Sequence, residues 1–427
     1  MLADSGARMV VADAETVAAV RTATTTVNQG GDRAVRVVVV GAPLEADERS
    51  YDDLCSVEPR TVPPLRDPEK LAVLLYTSGT SGLPRAVMLT HRALVANLDQ
   101  VATVDPPMIH SDDVVLGVLP LFHVYGLNAV LGGVLRHRAK LVLAERFDPE
   151  GTLDLIEDEA CSVVPVAPPV FAYWRDVDAL EERLGPVRLV LSGSAPLAAE
   201  VIDDFTSRTG IPVHQGYGLT EAAPVVTTTL RSEKPEPGSV GAPLDGIELR
   251  LVDDDGVPLS GADLADPGEI EIRGANLFSG YWPDGADGPD ADGWWATGDV
   301  GVLDDAGDLH LVDRVKDLVI VSGFNVYPTE VEAVLLEVPG VRHAAVIGAE
   351  DELTGEAVVA YVVPAGPEAA AAALVTAVEE HCEQRLARFK RPTRIEVVAE
   401  LPHTVTGKVQ KGRLRGRERR RALGLLE

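Results

Sequence analysis

Cysteine is scarce in this chain of 427 residues, and the three present, Cys55, Cys161 and Cys382, stand singly. They form no C-x-x-C pair, which speaks against a zinc site and against a disulfide framework. A reducing cytoplasm is the expected setting. No apolar run reaches the ~18 residues that a membrane-spanning helix needs, so no integral membrane segment is expected. The opening stretch MLADSGARMVVADAETVAAV has acids where a signal peptide needs a basic segment and then an unbroken apolar one. Positive charge is also in deficit, with 38 Lys and Arg against 67 Asp and Glu and a formal net charge of −29. Such a chain repels a phosphate backbone, so nucleic acid is not an expected partner. Any small anionic substrate must then be met by a local cluster of cations.

What is present suits a soluble globular protein of two or three domains: 46% hydrophobic and 25% charged residues over this length. Short apolar runs bounded by turn residues, RMVVAD, VRVVVVG, KLAVLLYT, DDVVLGVLP, AKLVLA and VRLVLSG, are interleaved with helix-like stretches such as HRALVANLDQVA and GTLDLIEDEA. That alternation reads as α/β with largely parallel sheets. From about residue 240 the segments GIELRLVDDDG, GEIEIRG and GDLHLVDR alternate apolar and polar residues, the pattern of a small antiparallel region with one wet face. A last unit begins near Asp313 and mixes strands with two helices. The expected architecture is a large α/β N-terminal domain over 1–312 and a smaller α+β C-terminal domain over 313–427. The basic run GRLRGRERRRALG near the end reads as a solvated helix, with a weak anchor to an acidic membrane surface as the other reading.

Chemistry concentrates in a few segments. In YTSGTSGLPRAVMLTH (76–91), Thr77, Ser78, Gly79, Thr80, Ser81 and Gly82 crowd a loop after an apolar run. Backbone N–H groups and hydroxyls at that density suit phosphate oxygens. The Walker lysine is missing, and the cation of the loop is Arg85. Further along stand PLFHVYGLN (120–128), SGSAPL (192–197), HQGYGLTEAAP (214–224), GWWATGDVG (293–301), LVDRVKDLVIVSGFNVYPTEVE (311–332) and LPHTVTGKVQKGRLR.

Together, in this order, these segments resemble the adenylate-forming superfamily of acyl-CoA synthetases, luciferases and peptide-synthetase adenylation domains. The wording SGFNVYPTEVE is most similar to fatty-acyl-CoA ligases. The resemblance implies ATP and CoA as co-substrates, Mg²⁺ as cofactor and a carboxylic acid as substrate. It implies that the opening loop wraps the β- and γ-phosphates, with Arg85 standing where the family usually has Lys. Gly193, Ser194 and Ala195 are expected to line the nucleotide and acyl pocket. In GYGLTE, Tyr217 is expected to offer a face to adenine, and Gly216 and Gly218 to let the backbone approach the ligand. Thr220 and Glu221 would meet the phosphates and the Mg²⁺. Asp299 would hold the ribose, and Arg314 would reach ribose or phosphate. His123 would act as aromatic wall and gate. Lys408, presented by Gly407, would bridge the substrate carboxylate and the α-phosphate.

The resemblance also implies a second step, thioester formation, after the C-terminal domain rotates about a hinge at Lys316. Ser322, Gly323 and Phe324 would then line the pantetheine tunnel. PLFHVYGLN lacks the acid that pairs an α-amine in amino-acid-activating relatives, so a fatty, short-chain or aryl acid is expected, with Val124, Leu127, Val166 and Phe171 as pocket candidates. No inserted segment separates Arg314 from Val331, which favours free CoA over a carrier protein's pantetheine arm as acceptor. Relatives usually carry a further lead-in before LADSGARMVVAD, so a shortened or inactive nucleotide-binding homologue is the remaining alternative.

Overall fold

The computed structural model describes all residues except 31–33, 65, 78–83, 196, 254, 262–263, 265, 352, 367–370, 405–406 and 423–427. The large domain is built on a parallel sheet. Strands β6 (Val114–Gly117), β7 (Lys140–Leu143), β8 (Val163–Val166), β9 (Leu189–Ser192) and β10 (Val213–Gln215) lie in the order β10-β9-β8-β6-β7. A smaller parallel sheet precedes it, formed by β1 (Met9–Ala12), β2 (Arg36–Val39) and β3 (Arg49–Ser50), with helix α1 (Val17–Gly30) packed on it.

Parallel strands covered on both faces must be apolar on both, and side-chain alternation divides them between two cores. Val115, Val163 and Leu189 face one core; Leu116, Val164, Val166 and Val190 face the other. Helix α2 (His91–Val101) starts where Thr90 accepts a hydrogen bond from the Ala93 N–H. Beside it runs a π-helix, Tyr125–Gly132, that continues into a short helix α3 (Gly133–His137). Helix α4 (Pro149–Glu159) has Asp148 as its cap and Pro149 in its first turn. Asp113 ties the entry ends of the strands together. It takes Arg188 on both carboxylate oxygens, the Ser162 hydroxyl at 2.7 Å and the His110 N–H at 2.6 Å. Burial works against the ionised form of Asp113, and these donors outweigh it, holding its pKa down at about 2.

One local reading differs. The run KLAVLLYT is not a strand of the parallel sheet followed by a helix. It forms β4 (Leu71–Thr77), which pairs antiparallel with β5 (Arg85–Thr90), so the Ser/Thr/Gly loop joins two strands of a hairpin. After a short antiparallel pair, β11 (Thr227–Thr228) and β12 (Ala242–Pro243), the alternating segments form the antiparallel sheet β13 (Ile247–Val252), β14 (Gly268–Gly274), β15 (Trp295–Leu303) and β16 (Leu309–Arg314). In that sheet Asp299 and Arg314 are cross-strand partners.

The smaller C-terminal domain centres on the long antiparallel pair β19 (Val341–Asp351) and β20 (Gly355–Pro364). The hairpin β17 (Val319–Val321) and β18 (Phe324–Val326) joins one end of β20, and β21 (Arg394–Val397) pairs with it in parallel. Helices α5 (Pro328–Leu336) and α6 (Ala371–Arg385) cover one face. The basic run forms helix α7 (Lys411–Ala422), and it is docked rather than solvated. Leu414 is buried, Arg415 pairs with Asp317, and Lys411 reaches Glu332 at 2.8 Å. Arg417 and Arg421 share Glu396 at 2.6 and 2.8 Å. Paired inside the domain, these four cations are not on offer to a membrane surface.

Candidate active site

A cavity of ≈ 760 Å³ opens between the two domains. Its polar end gathers residues from five segments. Among the described lining residues Arg85, Arg314, Lys316 and Lys408 face one carboxylate, Glu221. A chain of net charge −29 thus concentrates positive charge at one place.

The β4–β5 hairpin contributes Thr77 and Arg85, which are opposite each other across the ladder. Arg85 donates to Asp287 at 2.5 Å, and its guanidinium carbon lies 3.6 Å from the centre of the Tyr281 ring. The Tyr281 hydroxyl donates to Glu221 Oε1 at 2.6 Å. Burial and the Glu221 charge raise the Tyr281 pKa, so the phenol stays protonated as that donor. Arg85 and Glu221 are therefore held by one shared aromatic residue, which the motifs did not reveal. Ser78, Gly79, Thr80, Ser81 and Gly82 lie outside the described residues.

The loop after β10 carries Gly216, Tyr217, Gly218, Thr220 and Glu221, all lining the cavity. The glycines serve the loop's own fold. A Cβ at Gly216 would sit 2.6 Å from the Thr227 carbonyl oxygen, and one at Gly218 would sit 2.3 Å from that of Pro224. The space a side chain would need is filled by returning backbone, with Gly218 bridged to Val225. Tyr217 is buried, and its hydroxyl donates to Asp299 Oδ2 at 2.8 Å. Arg314 Nε meets Asp299 Oδ1 at 2.8 Å. The Asp299 charge is the main reason the Arg314 pKa is raised. Asp299 thus stands just behind the wall formed by Tyr217 and Arg314, its own pairing already begun.

Gly193 and Ser194 line the cavity; Ala195 does not. A Cβ at Gly193 would meet the Tyr125 ring at 2.8 Å. The buried hydroxyls of Ser192 and Ser194 and the Gln410 amide oxygen have no hydrogen-bond partner among the described residues, yet all three residues line the cavity. Buried polar groups of that kind await a partner. His123 accepts from the Tyr125 N–H through Nδ1 at 3.2 Å. Burial, then Lys408, lower its pKa, and a neutral imidazole that accepts at Nδ1 carries its proton on Nε2.

Lys408 comes from the other domain. Gly407 has φ 83°, and a Cβ there would meet Pro169 Cγ at 2.6 Å, so glycine is required both for the turn and for contact with the large domain. The Lys408 N–H donates to Thr404 Oγ1 at 3.0 Å. Burial, then Arg314, lower the Lys408 pKa; burial and Arg314 do the same to Lys316. Lys316 sits in the short 3₁₀ turn Val315–Asp317 between β16 and β17, with its side chain on the cavity. Ser322, Gly323 and Phe324 are not on it. Ser322 (φ 50°) and Gly323 (φ 84°) form the two-residue turn of the β17–β18 hairpin, which in this arrangement is exposed.

The apolar pocket candidates divide by strand face. Val124 lines the cavity, whereas Leu127, Val166 and Phe171 do not. Val166 and Phe171 belong to the core on the opposite side of the parallel sheet, where Phe171 meets Phe205 edge-on at 5.2 Å. Val163 and Pro165, one residue out of phase with Val166, face the cavity instead. Residues that motif reading missed include Trp295, His214, His403 and Gln410.

Oxygen donors from Thr220 and Glu221 on one wall fit a hard cation such as Mg²⁺. A separate group of potential ligands, Glu236, Asp304 and His310, does not line the cavity.

Residues 1–282 match the family model for the AMP-binding enzyme, and residues 330–408 match that for the AMP-binding enzyme C-terminal domain. The chain belongs to the AMP-binding enzyme family. It is 35% identical over 360 residues to a long-chain-fatty-acid–CoA ligase of Bacillus subtilis, covering 83% of this chain and 63% of that protein. It is 37% identical over 364 residues to 4-coumarate-CoA ligase 2 of Narcissus pseudonarcissus, covering 82% of this chain and 63% of the relative. The chain thus spans less than two thirds of the length of these relatives. Among solved structures, ATP-bound MatB from Rhodopseudomonas palustris superposes with a TM-score of 0.84 at 31% identity, over 97% of this chain and 80% of MatB. The apo form of MatB gives 0.70 at the same identity and coverage. The large N-terminal and smaller C-terminal parts thus have the adenylate-forming fold.

Proposed function

We propose that this chain is an ATP-dependent acid–CoA ligase of the AMP-forming type, and that its acid is a fatty acid. The observation that carries the reading is the convergence of four cations and one carboxylate, from both domains, on one cavity that apolar residues also line. In the first step a carboxylate oxygen attacks the α-phosphorus of ATP. The bond from that phosphorus to the β-phosphate oxygen breaks, and pyrophosphate leaves. Two anions must approach, so preorganised positive charge is the strongest assistance the protein can give. Lys408 neutralises carboxylate and α-phosphate together, and Arg85 with the hairpin loop holds the leaving pyrophosphate. Asp299 accepts from the ribose hydroxyls, while Tyr217 and Arg314 fix its orientation. The Nε2–H of His123 donates to the acid's carboxylate. Thr220 and Glu221 would hold Mg²⁺, which when bound offsets phosphate charge.

In the second step the CoA sulfur attacks the acyl carbon, the bond to the AMP oxygen breaks, AMP leaves, and the thiol proton goes to water. The reading takes 1–312 and 313–427 as domains that rotate about Lys316, carrying Ser322, Gly323 and Phe324 to the acceptor path. The higher similarity to ATP-bound than to apo MatB supports treating the present arrangement as the adenylating one. The fatty-acid assignment is supported by the apolar extension of the cavity past Val124 and Val163.

The test is incubation with Mg-ATP and a panel of fatty and aryl acids, with and without CoA, measuring AMP, pyrophosphate and thioester. Acid-dependent pyrophosphate and CoA-dependent thioester are expected. Pyrophosphate without thioester would redirect the second step to a carrier pantetheine. Absence of both would refute the ligase reading.

A further inference from the structure

Building on the ligase reading, we infer that Gly133 sets the acyl chain length, because it stands where a linear chain must pass in the deep arm of the cavity.

The cavity does not end beside Lys408. Its lining also includes Val115 and Val163 of the parallel sheet, residues of α2 and the π-helix, and Ile109, Gly133 and His137, the last of these close to His110 and Asp113 at the entry ends of the strands. Two irregularities make the room. Pro165 has no N–H, and β6 pairs with β8 only through Val115 and Val163. The π-helix is wider than an α-helix and closes with the Gly133 N–H donating to the Asn128 carbonyl five residues back. Apart from His137 at the far end, the described side chains lining this arm carry no titratable group.

Gly133 is not there for its backbone. Its φ and ψ, −58° and −47°, are right-handed helical, where alanine is the better residue. What glycine provides is space, since a Cβ at 133 would lie 2.9 Å from Ile109 Cδ1. That neighbour is the end of a flexible side chain, so alanine would push it into the arm and a larger residue would close the arm. Eight helical residues separate Tyr125 from Gly133, on the order of 10 Å. An extended chain advances about 1.3 Å per C–C bond, as follows from bonds of ~1.5 Å, so Gly133 stands beside roughly the eighth carbon.

The experiment measures kcat/KM for pyrophosphate release with saturated acids from four to sixteen carbons, for wild type, Gly133→Ala, Gly133→Leu and Gly133→Ala with Ile109→Ala. Each further buried methylene should raise wild-type kcat/KM roughly fourfold until the arm is filled. In Gly133→Leu the ratio of twelve-carbon to six-carbon activity should fall by roughly 100-fold or more, as about four methylenes lose their site. Gly133→Ala should lie between, and adding Ile109→Ala should restore the ratio. The six-carbon rate is the internal standard for folding. An equal loss at every chain length, or a wild type that uses aryl acids and nothing beyond six carbons, overturns the arm and leaves the ligase reading standing. If no acid releases pyrophosphate, the ligase reading fails, and calorimetric binding of dodecanoate decides the arm separately. Binding lost in Gly133→Leu supports it, and equal binding overturns it.

Discussion

Replacing Lys408 by Ala removes an ammonium group delivered to the cavity by the C-terminal domain. Two routes give the size of the effect. A unit charge about 4 Å from an anion at an effective dielectric of ~20 is worth ~4 kcal/mol. Removing one preorganised group that meets developing charge typically costs ~10²–10³ in rate, or ~3–4 kcal/mol. Both point to a 10²–10³-fold loss of acid-dependent pyrophosphate release. The variant should not be less stable, because burial and Arg314 already press the Lys408 pKa down, so the folded state holds this charge at a disadvantage. Thioester formation from a supplied acyl-adenylate and CoA should stay within threefold of wild type, since in the proposed reaction that step uses another domain arrangement. The assay therefore has two arms plus a melting curve. Equal loss in both half-reactions, or a lower Tm with adenylation intact, would refute the assignment of Lys408.

Asp299→Asn removes the carboxylate that Tyr217 and Arg314 orient, and the KM for ATP should rise about 10- to 100-fold, the value of a hydrogen bond to a charged group; an unchanged KM would remove Asp299 from the nucleotide site. Asp313 Oδ2 accepts from the N–H and hydroxyl of Thr329, both at 2.8 Å, so a residue before Lys316 caps helix α5 beyond it, where Tyr327 supplies no side-chain cap. Asp313→Ala should therefore slow adenylation about 2- to 30-fold, the value of a helix cap, and spare thioester formation from supplied adenylate; equal slowing of both would show a merely structural role. The depressed pKa of Asp113 adds stability that is present above about pH 4 and is lost as pH falls toward 2, because the unfolded chain then binds the proton more readily. Urea midpoints should fall between pH 4 and 2 more steeply in wild type than in Asp113→Asn, and parallel curves would contradict the linkage.

Much of the site was legible because phosphate chemistry leaves local marks. Arg85, Thr220, Glu221, Arg314 and Lys408 sit in segments whose residue types announce polar work, and all line one cavity. What was illegible depends on partners distant in sequence. Tyr281 holds both Arg85 and Glu221, yet nothing around residue 281 marks it as polar machinery. Val166 looked like pocket because the whole of VVPV is apolar, and a strand buried on both faces gives no phase to tell Val163 from Val164. Gly216 and Gly218 looked ligand-facing because glycine beside a phosphate motif has two readings, and only the return of the 224–228 segment separates them. The tail looked free because its counter-charges, Glu332, Glu396 and Asp317, lie 79, 25 and 98 positions from their partners. Ser322 and Gly323 as a two-residue hairpin turn could have been read from flanking β-branched residues, a signal the motif match concealed.

The electrostatics of the cavity also bear on the proposed domain rotation. Lys408 and Lys316 share the space with Arg314, and burial first, then Arg314, lowers the pKa of each, so both ammonium charges are poorly compensated while no anion is bound. ATP brings several negative charges and makes the arrangement favourable; by linkage, whatever favours this arrangement also tightens ATP. On the proposed reaction, adenylate formation followed by pyrophosphate release removes most of that charge while leaving the adenylate in place. The lysine that ATP drew in is then again poorly compensated, and withdrawing it relieves Arg314 and Lys316 together. On that proposal the switch from the first half-reaction to the second would need no separate signal, because the departure of pyrophosphate would change the charge that holds Lys408 inside. Pyrophosphate added back should then favour the present arrangement and inhibit thioester formation from supplied adenylate. Inhibition that weakens in Lys316→Ala and with added salt would carry the electrostatic account, and inhibition indifferent to both would end it.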